Sequence, residues 1–228
     1  MRAGGGRHRN CPSRSEIDGW ISCDNLADHR YVPEITSQKP LILIALIGLP
    51  GSGKSTVGRQ LARRLQLPFL DSDHVIEVRL GCSIRDYFER EGEASFRDVE
   101  ESVIDELTSL ASGVLSTGGG SVLRPANRQH LRDRGHVVYL RSSPDELFRR
   151  LRHDVSRPLL QVADPLGRLR ELYSERDPLY RETAHFVIET GRPSVSTLVN
   201  MIVMQLELAG VLPSQPILQM PPPTLPRP

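Results

Sequence analysis

Leu41-Ile42-Leu43-Ile44-Ala45-Leu46-Ile47 runs straight into Gly48-Leu49-Pro50-Gly51-Ser52-Gly53-Lys54-Ser55. A short, unbroken apolar run ended by glycine suits a strand buried on both faces of a parallel sheet. The segment from Gly48 to Ser55 matches G-x-x-x-x-G-K-[ST]. A helical pattern with Val57, Leu61 and Leu65 on one face begins directly after it. Strand, glycine loop and helix in this order form a phosphate cradle. The glycines let backbone N–H groups close round negative oxygens, and the helix N-terminus faces the same charge. Lys54 adds a point charge for the β- and γ-phosphates of a nucleotide, and the Ser55 hydroxyl is a ligand for Mg²⁺.

Outward from the loop, the apolar pattern alternates. Pro68-Phe69-Leu70 and Val114-Leu115-Ser116 read as a second and a third strand. Between them lies a helix with Phe96, Val99, Val103, Leu107 and Leu110 on one stripe. His136-Val137-Val138-Tyr139-Leu140 and His185-Phe186-Val187-Ile188 supply two more strands, and a last helix carries Val195, Leu198, Val199, Ile202 and Leu206. The expected fold is α/β: a single domain with an open, parallel, five-stranded sheet flanked by helices, and ligands beyond the strands' C-terminal ends. We expect this domain to span residues 40–210. Residues 1–39, with scattered charges, prolines and serines, read as a disordered extension, and 211–228 as a proline-rich tail containing Pro221-Pro222-Pro223.

Composition narrows the function classes. The formal net charge is +1, so no broad field marks the chain as a nucleic-acid or membrane binder. Apart from Lys39 and Lys54, all 29 basic residues are arginine, which weakens any argument from a single arginine. The three cysteines, Cys11, Cys23 and Cys82, have no metal-ligand spacing, and an odd number fits a reducing compartment better than a disulfide scaffold. The longest apolar run is too short to span a bilayer, and no secretion signal is visible. The expectation is a soluble, cytoplasmic monomer.

A phosphate loop alone does not separate kinases from other nucleotide hydrolases. The second strand ends in Asp71-Ser72-Asp73, two carboxylates two residues apart at a strand's edge. One suits water-mediated contact with Mg²⁺ and the other an acceptor hydroxyl; Ser72 or Asp73 as a helix cap is the plainer alternative. Phe96-Arg97 with Glu100, Gly118-Gly119-Gly120, Arg157-Pro158-Leu159-Leu160 and Arg176-Asp177-Pro178-Leu179-Tyr180 follow in order.

Together with the phosphate loop, this ordered set resembles the signature of the shikimate kinase family, over about residues 41–209. The resemblance implies ATP and shikimate as substrates, Mg²⁺ as cofactor, and transfer of the γ-phosphoryl group to the 3-hydroxyl of shikimate. By position it implies ATP contacts from Gly51, Ser52, Gly53, Lys54, Ser55, Thr56, Arg150, Arg157 and Pro193. Ser55 and Asp71 correspond to the magnesium side, Asp71 through water. Asp73, Arg97, Gly119, Gly120 and Arg176 correspond to shikimate-binding positions, the two arginines clamping the carboxylate. Lys54, Asp73 and Arg157 correspond to the catalytic groups, Arg157 on a mobile lid. Phe88, Phe96, Pro158 and Leu159 resemble apolar walls, with core packing the alternative for the phenylalanines, and Glu100 reads as an orienter of a site arginine, with a surface carboxylate the alternative. Arg152 is an alternative to Arg150 for stacking on the base. A gluconokinase-like or nucleotide kinase, and a binding module without turnover, are the competing readings.

Overall fold

The computed structural model describes residues 42–110, 112–151, 162 and 164–213. The lid segment with Arg157, the N-terminal extension and most of the proline-rich tail therefore lie outside the described residues.

Five strands form one sheet: β1 (Leu43–Ile47), β2 (Phe69–Asp71), β3 (Gly113–Ser116), β4 (His136–Arg141) and β5 (Phe186–Glu189). Their order across the sheet is β2-β3-β1-β4-β5, and every pairing is parallel. The helices are α1 (Lys54–Leu65), α2 (Ser72–Leu80), α3 (Ile84–Leu110), α4 (Pro125–Arg134), α5 (Pro144–Leu151), α6 (Pro165–Thr183) and α7 (Val195–Leu208). Within α3, Gly92 has φ 80° and ψ 174°, a non-helical conformation that kinks the helix and that glycine adopts without a Cβ clash.

Strand periodicity separates two apolar layers. Leu43, Ala45 and Ile47 of β1 join Leu115, Val137 and Tyr139 on one face, beneath Ile104, Leu131, Leu169, Leu172 and Tyr180 from α3, α4 and α6. Ile44 and Leu46 join Val114, Val138, Leu140 and Ile188 on the other, beneath Val57 and Leu61 of α1 and Leu198, Val199, Ile202 and Leu206 of α7; Val211 and Leu212 also pack here. A third, smaller cluster of Ile76, Leu80, Tyr87, Phe96, Val99 and Val103 ties α2 to α3.

One feature departs from sequence expectation. The helix α2 carries no strong apolar stripe: Ile76 and Leu80 are buried four residues apart, while Val78 is exposed. It exists because Asp71 caps it and because its two inward residues meet α3. Among the described residues no helix is long and apolar enough to cross a membrane.

The layering predicts a contrast. Ile202→Ala, in the α7 layer, is expected to destabilise the fold by about 2–5 kcal/mol, whereas Val78→Ala should change stability by less than about 0.5 kcal/mol. Urea unfolding midpoints of the two variants measure this; equal shifts would contradict the layer assignment.

Candidate active site

Because all strands run the same way, the segments after β1, β2 and β3 emerge at one edge. The phosphate loop follows β1, with Gly51 and Gly53 in left-handed backbone conformations, φ 83° and 94°. These angles turn successive N–H groups inward, a geometry that L side chains resist. Lys54 is buried, and its Nζ donates to the carbonyls of Gly48 at 2.8 Å and Leu49 at 3.0 Å. The ammonium is thus held over the loop's own mouth. Ser52 is buried, with a hydroxyl that has no hydrogen-bond partner, while Thr56 is exposed on α1.

Register aligns the acceptor side with this loop. Leu46 of β1 and Asp71 of β2 both pair with Ser116 of β3. The Ser55 hydroxyl donates to Asp71 Oδ2 at 2.9 Å and lies 3.2 Å from the Ser116 hydroxyl. Asp71 Oδ1 accepts from the backbone N–H of Asp73 at 3.2 Å. Asp71 is therefore the N-cap of α2, so neither Ser72 nor Asp73 fills the capping role that was the plainer alternative for them; Ser72 instead accepts from the Gly118 N–H at 3.1 Å. Asp73 points from the first turn of α2, its carboxyl raised to about 6 by burial first and the neighbouring Asp71 charge second, with Lys54 pulling the other way.

The Gly118–Gly120 segment is where the elements meet. A Cβ on Gly118 would lie 2.7 Å from Asp73 Oδ1 and 2.9 Å from Glu100 Oε1; one on Gly119 would lie 2.6 Å from Pro50 Cδ. A Cβ on Gly120 would strike the Arg97 guanidinium. Three residues without side chains thus let the phosphate loop, α2 and α3 converge on one stretch of backbone.

Arg97 Nη1 donates to Glu100 Oε2 at 2.6 Å, and Nη2 donates to Glu93 at 3.1 Å. Glu100 is 1% exposed. Burial pushes its carboxyl up although Arg97 and Arg176 pull it down. Burial works against the Arg97 charge as well, but Glu100 and Glu93 outweigh it and hold that guanidinium above its ordinary value. From α6, Arg176 Nη1 donates to the Gly119 carbonyl at 3.1 Å, while its buried Nε has no hydrogen-bond partner. Phe96 belongs to the α2–α3 core, with Phe88 against it at 5.6 Å between ring centroids, and the Arg97 guanidinium lies 5.1 Å from the Phe96 ring.

On the opposite side of the loop, beyond β4 and β5, Arg150 of α5 donates to the Thr190 carbonyl and reaches the Gly191 carbonyl at 3.4 Å. This ties α5 to the turn that carries the half-buried Pro193. Leu151 packs against Gly51, where a Cβ would lie 2.5 Å from Leu151 Cδ1. Arg157, and Arg152 with it, lies outside the described residues.

The neighbouring oxygens of Ser55 and Asp71 fit Mg²⁺, a hard cation that accepts few protein ligands and keeps water and phosphate for the rest. Among the described residues no group of three or more His, Cys, Asp or Glu is arranged for a metal. The sequence gives no site role to Ser116, Pro50 or Tyr180, whose hydroxyl donates to the Gly119 carbonyl at 2.5 Å, and offers Ser72 only as a helix cap. Pro50, Ser72 and Tyr180 lie inside quoted motifs without a signal of their own, and Ser116 ends a quoted strand.

A family model described as shikimate kinase matches residues 50–207. The shikimate kinase of Paracidovorax citrulli is 66% identical over 180 residues, spanning 78% of this chain and 98% of that one. The shikimate kinase of Ralstonia nicotianae is 59% identical over 169 residues, spanning 74% and 89%. Among solved structures, shikimate kinase from Acinetobacter baumannii in complex with shikimate superposes with a TM-score of 0.71 at 47% identity, covering 76% of this chain and 96% of that chain. Matching fold, ordered motifs and near-complete coverage of these relatives agree: the chain belongs to the shikimate kinase family.

Proposed function

We propose that the protein transfers the γ-phosphoryl group of ATP to the 3-hydroxyl of shikimate, giving shikimate 3-phosphate for the synthesis of chorismate and the aromatic amino acids. The observation that carries this reading is the convergence of Asp73, Arg97 and Pro50 on the side-chain-free Gly118–Gly120 segment. It sets an acidic group and a guanidinium beside a phosphate loop, as a small hydroxylated carboxylate acceptor requires.

In this reading the loop backbone from Gly51 to Lys54, with Ser55 and Thr56, holds the phosphates, and Arg150 and Pro193 flank the base. Arg97 and Arg176 form charge-assisted hydrogen bonds to the shikimate carboxylate, while Gly119 and Gly120 admit the ring close to the backbone. Asp73 accepts the proton of the attacking hydroxyl as its oxygen bonds to the γ-phosphorus and the bond from that phosphorus to the β–γ bridging oxygen breaks, releasing ADP. Lys54 and Arg157 neutralise charge on the transferring group. Ser55 directly and Asp71 through water would hold Mg²⁺, which when bound supplies charge neutralisation at the β- and γ-phosphates. The reading is of a small-molecule enzyme acting as a cytoplasmic monomer; the small net charge supplies no broad field to draw nucleic acid or an anionic membrane.

The direct test is ADP release from ATP and Mg²⁺ with shikimate, gluconate, a nucleoside monophosphate or no acceptor. Release that depends on shikimate alone supports the assignment; ATP binding without release for any acceptor would move the protein to a non-catalytic binding module.

Three variants separate the roles. Lys54→Ala is expected to lower kcat by about 10²–10³-fold, as loss of a preorganised charge stabiliser does. Arg97→Ala should raise the KM for shikimate by about 10–100-fold with the KM for ATP little changed; unchanged shikimate affinity would refute the carboxylate clamp. Asp73 loses its proton around pH 6, so kcat/KM for shikimate should fall as pH drops below that value, and Asp73→Asn should abolish this limb along with about 10²–10⁴-fold of kcat.

The same raised carboxyl predicts a stability effect of opposite sense. Its ionisation disfavours folding above about pH 6, and the penalty disappears as pH falls below the unfolded value of 3.8. Asp73→Asn is therefore expected to unfold at higher urea than wild type at about pH 8, with the gap narrowing towards about pH 5. A gap that widens on acidification would show that the carboxyl is not raised.

A further inference from the structure

We propose that Tyr180 is a positioning residue for the acceptor, its hydroxyl fixing the Gly119 carbonyl and, through that shared oxygen, the reach of Arg176. The proposal rests on the assignment of Gly119 and Arg176 to shikimate binding.

Tyr180 is fully buried on α6, one helical turn beyond Arg176. Its hydroxyl donates to the Gly119 carbonyl at 2.5 Å, and Arg176 Nη1 donates to the same oxygen at 3.1 Å. A carbonyl oxygen has two lone pairs, so these two donors complete it. The guanidinium is then anchored at one corner, and its buried Nε keeps an unused hydrogen-bond donor. Glu175 stands 3.9 Å from that nitrogen, beyond hydrogen-bond range. An anchored fork with spare donors is preorganised for an anionic oxygen.

The ring that carries the hydroxyl is fixed from behind. Tyr180 stacks on Tyr139 with centroids 4.9 Å apart. The Tyr139 hydroxyl donates to Asp177 Oδ1 at 2.8 Å, and Arg181 holds the other oxygen of Asp177 at 2.7 Å. Burial pushes the Tyr180 phenol well above its ordinary value despite the opposing Arg176 charge, so it stays protonated and able to donate near neutral pH. Losing that hydroxyl leaves a lone pair of the Gly119 carbonyl open. Arg176 can fold further onto it and withdraw from the ligand, whereas the lost hydroxyl has no hydrogen bond to the phosphate loop.

Tyr180→Phe keeps the stacked ring and removes the hydroxyl alone. Its KM for shikimate, and its Kd by calorimetry without nucleotide, should both rise about three- to tenfold, with the KM for ATP changed by less than about twofold. Tyr139→Phe removes the hydroxyl of the partner ring, one aimed at Asp177 and not at Gly119, and should raise the shikimate Kd by much less, under about twofold. An unchanged shikimate Kd in Tyr180→Phe would overturn the proposal. So would an equal rise in Tyr139→Phe, or a KM for ATP that rises in step, because each marks a general packing effect. Wild-type protein that binds shikimate without releasing ADP would defeat the kinase assignment yet leave the calorimetric comparison decisive for Tyr180. Wild-type protein that binds no shikimate would defeat both.

Discussion

Parallel strand pairing is the constraint from which the site follows. With β1 between β3 and β4, and Leu46, Ser116 and Asp71 level across three strands, the phosphate loop, the Gly118 segment and the start of α2 leave the sheet side by side. None of these segments needs to travel far, because the ladder has already brought their first residues together. What remains is short-range fitting: Ser55 to Asp71, Ser72 to the Gly118 N–H, and Pro50 against Gly119. The same order sends β4 and β5 to the other side of the loop, so the proposed base-side and acceptor-side groups lie on opposite flanks of one phosphate loop.

Such convergence has an electrostatic cost that the two apolar layers offset. Asp73 and Glu100 are both pushed up by burial, and Asp73 also by Asp71. A site designed for stability alone would place apolar side chains there. In the proposed reaction the unfavourable state would serve proton transfer, since a carboxyl raised to about 6 takes a proton more readily than an ordinary aspartate, and the buried Glu100 holds Arg97 in one orientation. The energy is recovered from β1, whose five residues are all buried between the two helical layers.

The strands and most helices were legible because their apolar periodicity reflects which faces the sheet covers. The phosphate loop was legible because its chemistry is local: its glycines, Lys54 and Ser55 act within one turn of chain. The helix α2 was not, since its burial depends on α3 rather than on its own stripe, and its cap sits in the strand before it. The ordered motifs pointed to Asp71, Asp73, Arg97 and Arg176, but not to the contacts that organise them. The Ser55–Ser116 and Tyr180–Gly119 contacts each join residues 61 positions apart, a distance at which composition and spacing carry no information.

Arginine abundance illustrates the limit most clearly, because in this chain the residue type alone says little. Geometry separates the cases by what each guanidinium has left to offer. Arg134 Nη1 meets the Asp105 carboxylate and carbonyl and the hydroxyls of Thr108 and Ser109, bracing α4 against α3. Arg128 also has a buried Nε without a hydrogen bond, but its Nη1 is engaged with the Val122 and Leu123 carbonyls and Glu182 lies 3.7 Å from its Nε, which fits a brace for the turn before α4. Arg176 differs in being anchored to Gly119, inside the segment that Asp73, Arg97 and Pro50 surround, with its Nε unused. A donor fork that is fixed, buried and incompletely satisfied is suited to an anionic partner, and that geometry supports the proposed role of Arg176 more sharply than its place in a motif does.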